Sequence, residues 1–161
     1  MALIVEDGSE VANANSYASL AVIAAYAIAH GDATWALATE AEQNAAALNA
    51  MVYIDSKPYK GYPTSSTQLL EWPRFGVVVN TWDVSSDAIP AKLVYAQCVA
   101  SVKALAGSLS PDLARGGGVK RQKVDVIETE YFDGAVATTT YQVIDQLLAP
   151  LLKSSTTLVL A

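Results

Sequence analysis

The stretch that most constrains this chain is Ile89–Ala106, IPAKLVYAQCVASVKALA. Pro90 falls where a first helical turn tolerates it, Asp87 or Ser86 is a candidate cap, and Gly107 stops the run. Leu93, Val94, Cys98, Val99, Val102 and Leu105 cover more than one face of such a helix. Gln97 and Ser101 mark only a thin polar line, and Lys92 and Lys103 are long enough to carry their charges outward. Its alanines let neighbours approach closely. The helix is therefore expected to be buried on most of its circumference, and the other apolar segments must pack around it.

Those segments can be read in order. Residues 1–15 read as an extended arm with a turn at Glu6-Asp7-Gly8. Asn15 or Ser16 can cap a first helix to about Ala29, with Leu20, Ile23, Ala24, Ala27 and Ile28 as its apolar stripe and His30 in its last turn. Trp35 lies in a short connection. Thr39-Glu40-Ala41-Glu42 has capping-box spacing and predicts a second helix from Glu40. Ala45, Leu48, Met51 and Val52 face inward on it, Asp55 falls on the next turn, and Pro58 forces an end near Lys57. Residues 58–88 read as irregular, with one helical turn over Thr67–Trp72 and a short strand or apolar loop at Val77–Val79. A loop of that length in a compact domain is usually functional or partner-bound.

Beyond the central helix, Arg115-Gly116-Gly117-Gly118 is a hinge, and residues 119–132 predict a β-hairpin turning at Asp125-Val126. In that register Val124 faces Ile127, Lys123 faces Glu128, Gln122 faces Thr129 and Arg121 faces Glu130, giving two opposite-charge pairs. A last helix runs from about Tyr141 to Leu152, with Tyr141, Ile144, Leu147, Leu148 and Leu151 on one side, and KSSTTLVLA is an apolar-ended tail. The expected fold is mainly α: a small helical bundle around a buried central helix, with a β-hairpin excursion and a C-terminal helix and tail. It is read as one domain over 1–161, with a helical core at about 16–110, a hairpin arm at about 115–133 and the C-terminal helix and tail at about 138–161.

Composition narrows the function classes. The chain is 52% apolar and 16% charged, which is globular and not disordered. No apolar run approaches the ~20 residues of a membrane helix, and the opening MALIVEDGSE lacks the order of a secretory signal. The single Cys98 permits no internal disulfide, so synthesis in a reducing cytoplasm is the expectation. Of the net charge of −6, residues 1–56 carry seven acids and no Lys or Arg. Phosphate-neutralising proteins show the reverse, a basic face, so this balance weighs against nucleic-acid binding.

No catalytic constellation emerges. His30 is the only histidine, which leaves no Ser-His pair and no His-rich metal site, and it reads as a helix-end residue. Cys98 sits in the most apolar helix, where thiols are inert. C-x-x-C, H-E-x-x-H and phosphate-loop motifs are missing, so no enzyme, cofactor or metal is expected. Lys120, Arg121 and Lys123 are the best candidates for phosphate contact, against pairing with Glu128 and Glu130 across the hairpin. Tyr59, Tyr62, Trp72, Phe75 and Trp82 cluster in the irregular region, as single-strand stacking platforms do, or as an aromatic-rich protein interface does. Only Lys57, Lys60 and Arg74 accompany them, with Glu71 and Asp83 opposing.

Four features together carry a resemblance: the opening MALIVEDG-x-x-VANANSY; Gln68, Leu70, Trp72, Pro73 and Arg74 as Q-x-L-x-W-P-R; the Ile89-Pro90 helix start; and D-L-x-R-G-G-x-V-K-R-x-K-V from Asp112. The chain resembles a tailed-bacteriophage family labelled DnaT-like single-stranded-DNA-binding protein, whose members are similar to siphophage head–tail connector (neck adaptor) proteins. The connector side of the resemblance implies a structural virion protein of the neck, made in the host cytoplasm and not associated with membrane. It implies a homo-oligomeric ring, twelve-fold, docked on the portal and on a tail-side neck or tail terminator protein. Double-stranded DNA would pass through an acidic lumen without sequence-specific binding, on the way to genome ejection. The alternative is a single-stranded-DNA-binding protein of phage replication. The expected interface residues are Trp72, Arg74, Arg115, Lys120, Arg121, Lys123, Leu147, Leu151, Leu158 and Leu160.

Overall fold

The computed structural model describes residues 2–110, 121–124, 127–130 and 140–153. By its contacts the chain divides into a body, Met1–Leu109 with Tyr141–Ala161, and a second unit, Ser110–Thr140. The body carries α1 (Leu20–Ala29), α2 (Thr34–Leu37), α3 (Glu40–Asp55), α4 (Ala91–Ala106) and α5 (Gln142–Leu148), the last continued by a 3₁₀ turn at Ala149–Leu151. Between α3 and α4 lie two small antiparallel pairs, β1 (Tyr62–Pro63) with β2 (Arg74–Phe75) and β3 (Val78–Val79) with β4 (Trp82–Asp83). The fold is mainly α, as the apolar periodicity predicts.

Helix α4 is the shared element of the core. Leu93, Ala96 and Ala100 pack into a cluster with Tyr17, Ile54, Trp72, Ile144 and Leu148. Cys98 packs on the other side with Ile23, Trp35, Ala46 and Ala47. Burying each of the large aliphatic residues among these contributes about 1.5–3 kcal/mol. The helix starts after Pro90 with no side-chain cap, so neither Asp87 nor Ser86 serves; the Asp87 carboxylate instead accepts a hydrogen bond from Ser85. Gln97 and Ser101 are fully buried and do not form a solvent line. The Gln97 carboxamide accepts from Tyr17 N (2.7 Å) and donates to Ser16 Oγ (2.7 Å) and Ala47 O (3.3 Å), which satisfies its burial.

That bond set explains where α1 begins. Ser16 and Tyr17 are held to Gln97 across 80 residues or more, so the helix opens three or four positions later than Ser16 or Asn15 would have it, capped by Ser19 Oγ on Val22 N. Ile23 and Ala27 face the core, whereas Ile28 is exposed and leaves the expected stripe. In α3 the Thr39–Glu42 capping box forms as its spacing predicts. Its buried face is Ala46, Ala47, Ala50 and Ile54, not Ala45 and Val52, because small side chains let α3 lie close against α4. Trp35 is buried on the single turn α2, and Thr67–Trp72 is not helical. Helix α5 stops at Leu148, short of Leu152, because Pro150 cannot supply the next backbone N–H.

In the second unit, β5 (Arg121–Val124) pairs antiparallel with β6 (Ile127–Glu130). The register is Arg121 with Glu130, Gln122 with Thr129, Lys123 with Glu128 and Val124 with Ile127, as the charge pattern predicts. The Asp125-Val126 turn, the 115–118 hinge and the tail beyond 153 lie outside the described residues. No described helix is long and apolar enough to cross a membrane.

Candidate functional site

The five aromatics of the irregular region divide into an inner and an outer set. Tyr59 and Trp72 are buried edge to face, with ring centroids 5.8 Å apart. Tyr62 and Phe75 are directly opposite in β1–β2 and expose 67% and 49% of their surface, with ring centroids 5.6 Å apart and planes 32° apart. Trp82 is 78% exposed on β4, opposite Val79. Asn80 and Thr81, both at positive φ, turn β3 into β4, the conformation a two-residue hairpin turn requires. Lys60, just before β1, sends its ammonium to Val78 O on β3 (3.4 Å) and to Pro150 O (2.8 Å), so the two pairs share a support.

The outer rings rest on a polar frame. Arg74 is 5% exposed and donates from Nε to Lys60 O (2.8 Å), from Nη1 to Glu71 O (3.0 Å) and Glu71 Oε2 (2.5 Å), and from Nη2 to Gly61 O (3.0 Å). The guanidinium therefore fixes the residues flanking both β1 and β2. Beneath it, the Tyr17 hydroxyl accepts from Trp72 N (3.1 Å) and donates to Asp55 Oδ1 (2.5 Å), while Asp55 Oδ2 accepts from Glu71 N (3.2 Å). Burial pushes the Asp55 carboxyl up to about 6, although the bonds from Tyr17 and Glu71 pull it back. Burial, with Asp55 alongside, holds the Tyr17 phenol far above its usual range.

The expected interface residues are distributed as follows. Trp72 and Leu151 are buried in the core, and Arg74 serves the frame, so none of the three offers its side chain to a partner. Leu147 is half-buried against the same core. Arg121 and Lys123 stand on β5 opposite Glu130 and Glu128. Arg115, Lys120, Leu158 and Leu160 lie outside the described residues. Tyr62, Phe75 and Trp82 replace Trp72 and Arg74 as the outward-facing groups. A signal was present for two of them: Tyr62 and Phe75 adjoin Gly61 and Gly76, turn glycines at positive φ, whereas Trp82 adjoins Thr81, whose positive φ a β-branched side chain does not announce.

The acids of residues 1–56 are largely local caps. Glu6 is buried and accepts from the N–H groups of Gly8, Glu10 and Val11. Asp7 accepts from Ser9, Asp32 from Thr34 and Glu42 from Thr39, and each of these bonds holds its exposed carboxyl below the ordinary range. The positions of these four acids follow from turn and cap geometry, and the lowered carboxyls of Asp7, Asp32 and Glu42 are held in their charged form. Among the described residues no group of His, Cys, Asp and Glu could hold a metal ion.

The model of a family described as "Putative DnaT-like ssDNA binding protein" matches residues 1–160. The chain belongs to this family. No curated protein and no solved structure matches it. The match overturns the expectation of a structural head–tail connector of the virion: the DnaT-like description is one of single-strand binding, and nothing in the comparisons points to a connector.

Proposed function

We propose that this DnaT-like protein binds single-stranded DNA without catalysing a reaction, by stacking unpaired bases on Tyr62, Phe75 and Trp82. One observation carries the reading: these three rings stand exposed on short pairs whose backbone is locked by Arg74 and Lys60. Ring faces accept any unpaired base, because every base has a π-face, and each stacked base is worth about 1–3 kcal/mol. Bases in a duplex already stack on one another and are not available.

The cations near the rings are mostly committed elsewhere. Arg74 is buried, and Lys57 lies over the Tyr53 ring and 3.6 Å from Asp145. Binding would then rest on stacking more than on phosphate contact. This reconciles a net charge of −6 with a DNA ligand.

Tryptophan fluorescence tests the proposal directly. Trp35 and Trp72 are buried, so quenching by a bound base reports on Trp82. Titration with single-stranded oligo(dT) at physiological salt should give saturable quenching that a duplex of equal length does not. Unchanged fluorescence, together with unchanged anisotropy of a labelled single strand, would refute the reading.

A further inference from the structure

The polar frame beneath the rings closes on one carboxyl group. Asp55, in the last turn of α3, accepts from the Tyr17 hydroxyl on Oδ1 (2.5 Å) and from Glu71 N on Oδ2 (3.2 Å). The Tyr17 oxygen accepts in turn from Trp72 N (3.1 Å). Three donors thus meet three acceptor atoms, and an ionised carboxylate, which only accepts, is the form that fits them. A proton on Oδ2 would face the Glu71 N–H. A proton on Oδ1 would reverse the bond to Tyr17 and leave the phenol proton without its acceptor.

The same peptide groups lead to the stacking surface. Glu71 accepts from Arg74 Nη1 through its carbonyl (3.0 Å) and its carboxylate (2.5 Å). Arg74 also holds Lys60 O (2.8 Å) and Gly61 O (3.0 Å), the two residues before Tyr62. Phe75 directly follows Arg74 and pairs with Tyr62 across β1–β2. An unbroken path of hydrogen bonds therefore runs from the Asp55 carboxyl to the backbone beside both rings.

We infer that, given base stacking on Tyr62, Phe75 and Trp82 as proposed above, Asp55 is a positioning residue for the single-strand site, and that its ionised carboxylate is the form that holds the Tyr62–Phe75 pair for stacking. The groups facing that carboxyl are Tyr17 from the N-terminal arm, Tyr59 from the segment after α3, and Glu71 and Arg74 from the approach to β2. Burial holds both phenols far above their usual range, and Glu71 and Arg74 are paired with each other. Lys57, two residues on, is turned to Tyr53 and Asp145. Among the described residues no cation lies within ion-pair distance of Asp55. Burial without a cation in contact pushes the carboxyl up to about 6, so it changes charge close to neutral pH. Apparent affinity then follows the ionised fraction, which falls about tenfold from pH 7 to pH 5. By linkage a bound strand favours ionisation in return, so binding releases protons below neutral pH.

Anisotropy of labelled oligo(dT) at constant salt, from pH 5 to pH 7, tests this with wild type and Asp55→Asn, circular dichroism confirming the fold at each pH. Wild-type affinity should fall about tenfold toward pH 5. Asp55→Asn carries an extra donor at every pH, so at pH 7 it should bind as weakly as wild type does at pH 5, with a flat profile. Calorimetry on wild type alone, in two buffers of different ionisation enthalpy, should count more than about half a proton released per bound strand near pH 5.5. Equal wild-type affinity at pH 5 and pH 7 without proton release would overturn the inference and leave stacking standing. A fall that Asp55→Asn shares would assign the titration to another group and overturn it equally. Failure to bind oligo(dT) at any pH would refute the stacking reading itself, and this inference with it.

Discussion

Tyr17 and Asp55, 38 residues apart, meet in a 2.5 Å hydrogen bond that joins the N-terminal arm to the end of α3. The remaining bonds of the same two side chains go to Trp72 N and Glu71 N, so the pair also fixes the approach to β2. Replacing Tyr17 with Phe removes the acceptor of a buried N–H and a donor to a buried carboxylate. Each loss costs about 1–3 kcal/mol. Tyr17→Phe should therefore lower Tm by roughly 4–24 °C in a thermal melt, at about 2–4 °C per kcal/mol for a chain of this size.

The same pair sets a pH dependence with a definite sign. Burial raises Asp55 from 3.8 to about 6, so between those values the folded chain holds a proton that the unfolded chain has released. Stability from this group is then highest below about pH 4 and falls as pH rises through about 6. The difference amounts to about 3 kcal/mol for a shift of about two units. The lowered carboxyls Asp7, Asp32 and Glu42 work in the opposite sense at more acid pH, and they are common to wild type and variant. In urea titrations, stability of wild type minus that of Asp55→Asn should fall by about that amount from pH 4 to pH 7. A difference independent of pH would remove Asp55 as the titrating group.

How far the sequence carried these features depended on the range of the forces behind them. Local signals were legible: the Thr39–Glu42 box, Pro90 at the start of α4, and alternation with matched charges along the 121–130 hairpin. Long-range ones were not. Nothing near Ser16 shows that Gln97, 81 residues on, will hold it out of a helix. Asp55 on the stripe of α3 was the visible trace of the buried network, since a carboxylate among apolar neighbours needs partners. The Trp72-Pro73-Arg74 motif was legible as a feature but not in its direction: its side chains point inward, and their neighbours Tyr62 and Phe75 point out.

Arg74 should tolerate no conservative exchange. Its fork reaches Lys60 O, Gly61 O and Glu71 at once, a planar set of donors that an ammonium on a single stem cannot reproduce. Arg74→Lys should cost about 2–4 kcal/mol by urea denaturation, from lost charged hydrogen bonds and unpaired carbonyls. Stability equal to wild type would show that the frame does not depend on the guanidinium.

Stacking and phosphate contact are separable by salt. For single strands the slope of log K against log salt is about −0.7 per phosphate neutralised. With the body's cations near the rings engaged internally, the slope for oligo(dT) should be shallower than about −2. Tyr62→Ala, Phe75→Ala and Trp82→Ala should each weaken binding about 5- to 150-fold, matching about 1–3 kcal/mol per stacked base, with Tm nearly unchanged because the rings are exposed. A steep slope that is abolished by Glu at Lys120, Arg121 and Lys123 would move the interface to that basic run.

Two glycines separate backbone strain from collision beneath the same rings. Gly61 (φ +63°) and Gly76 (φ +70°) both occupy the left-handed region, one before Tyr62 and one after Phe75. A Cβ on Gly76 meets nothing within 4 Å, so Gly76→Ala should cost only the conformational penalty of about 1–2 kcal/mol. A Cβ on Gly61 would stand 2.2 Å from Phe75 O and 2.8 Å from Val77 Cγ2, and the carbonyl cannot yield without breaking β1 from β2. Gly61→Ala should therefore lower Tm clearly more than Gly76→Ala. It should also uncouple Tyr62 from Phe75, so single-strand affinity falls with it. Equal melting temperatures for the two variants would mean that β1 and β2 do not pack as closely in solution as the Gly61–Phe75 approach requires.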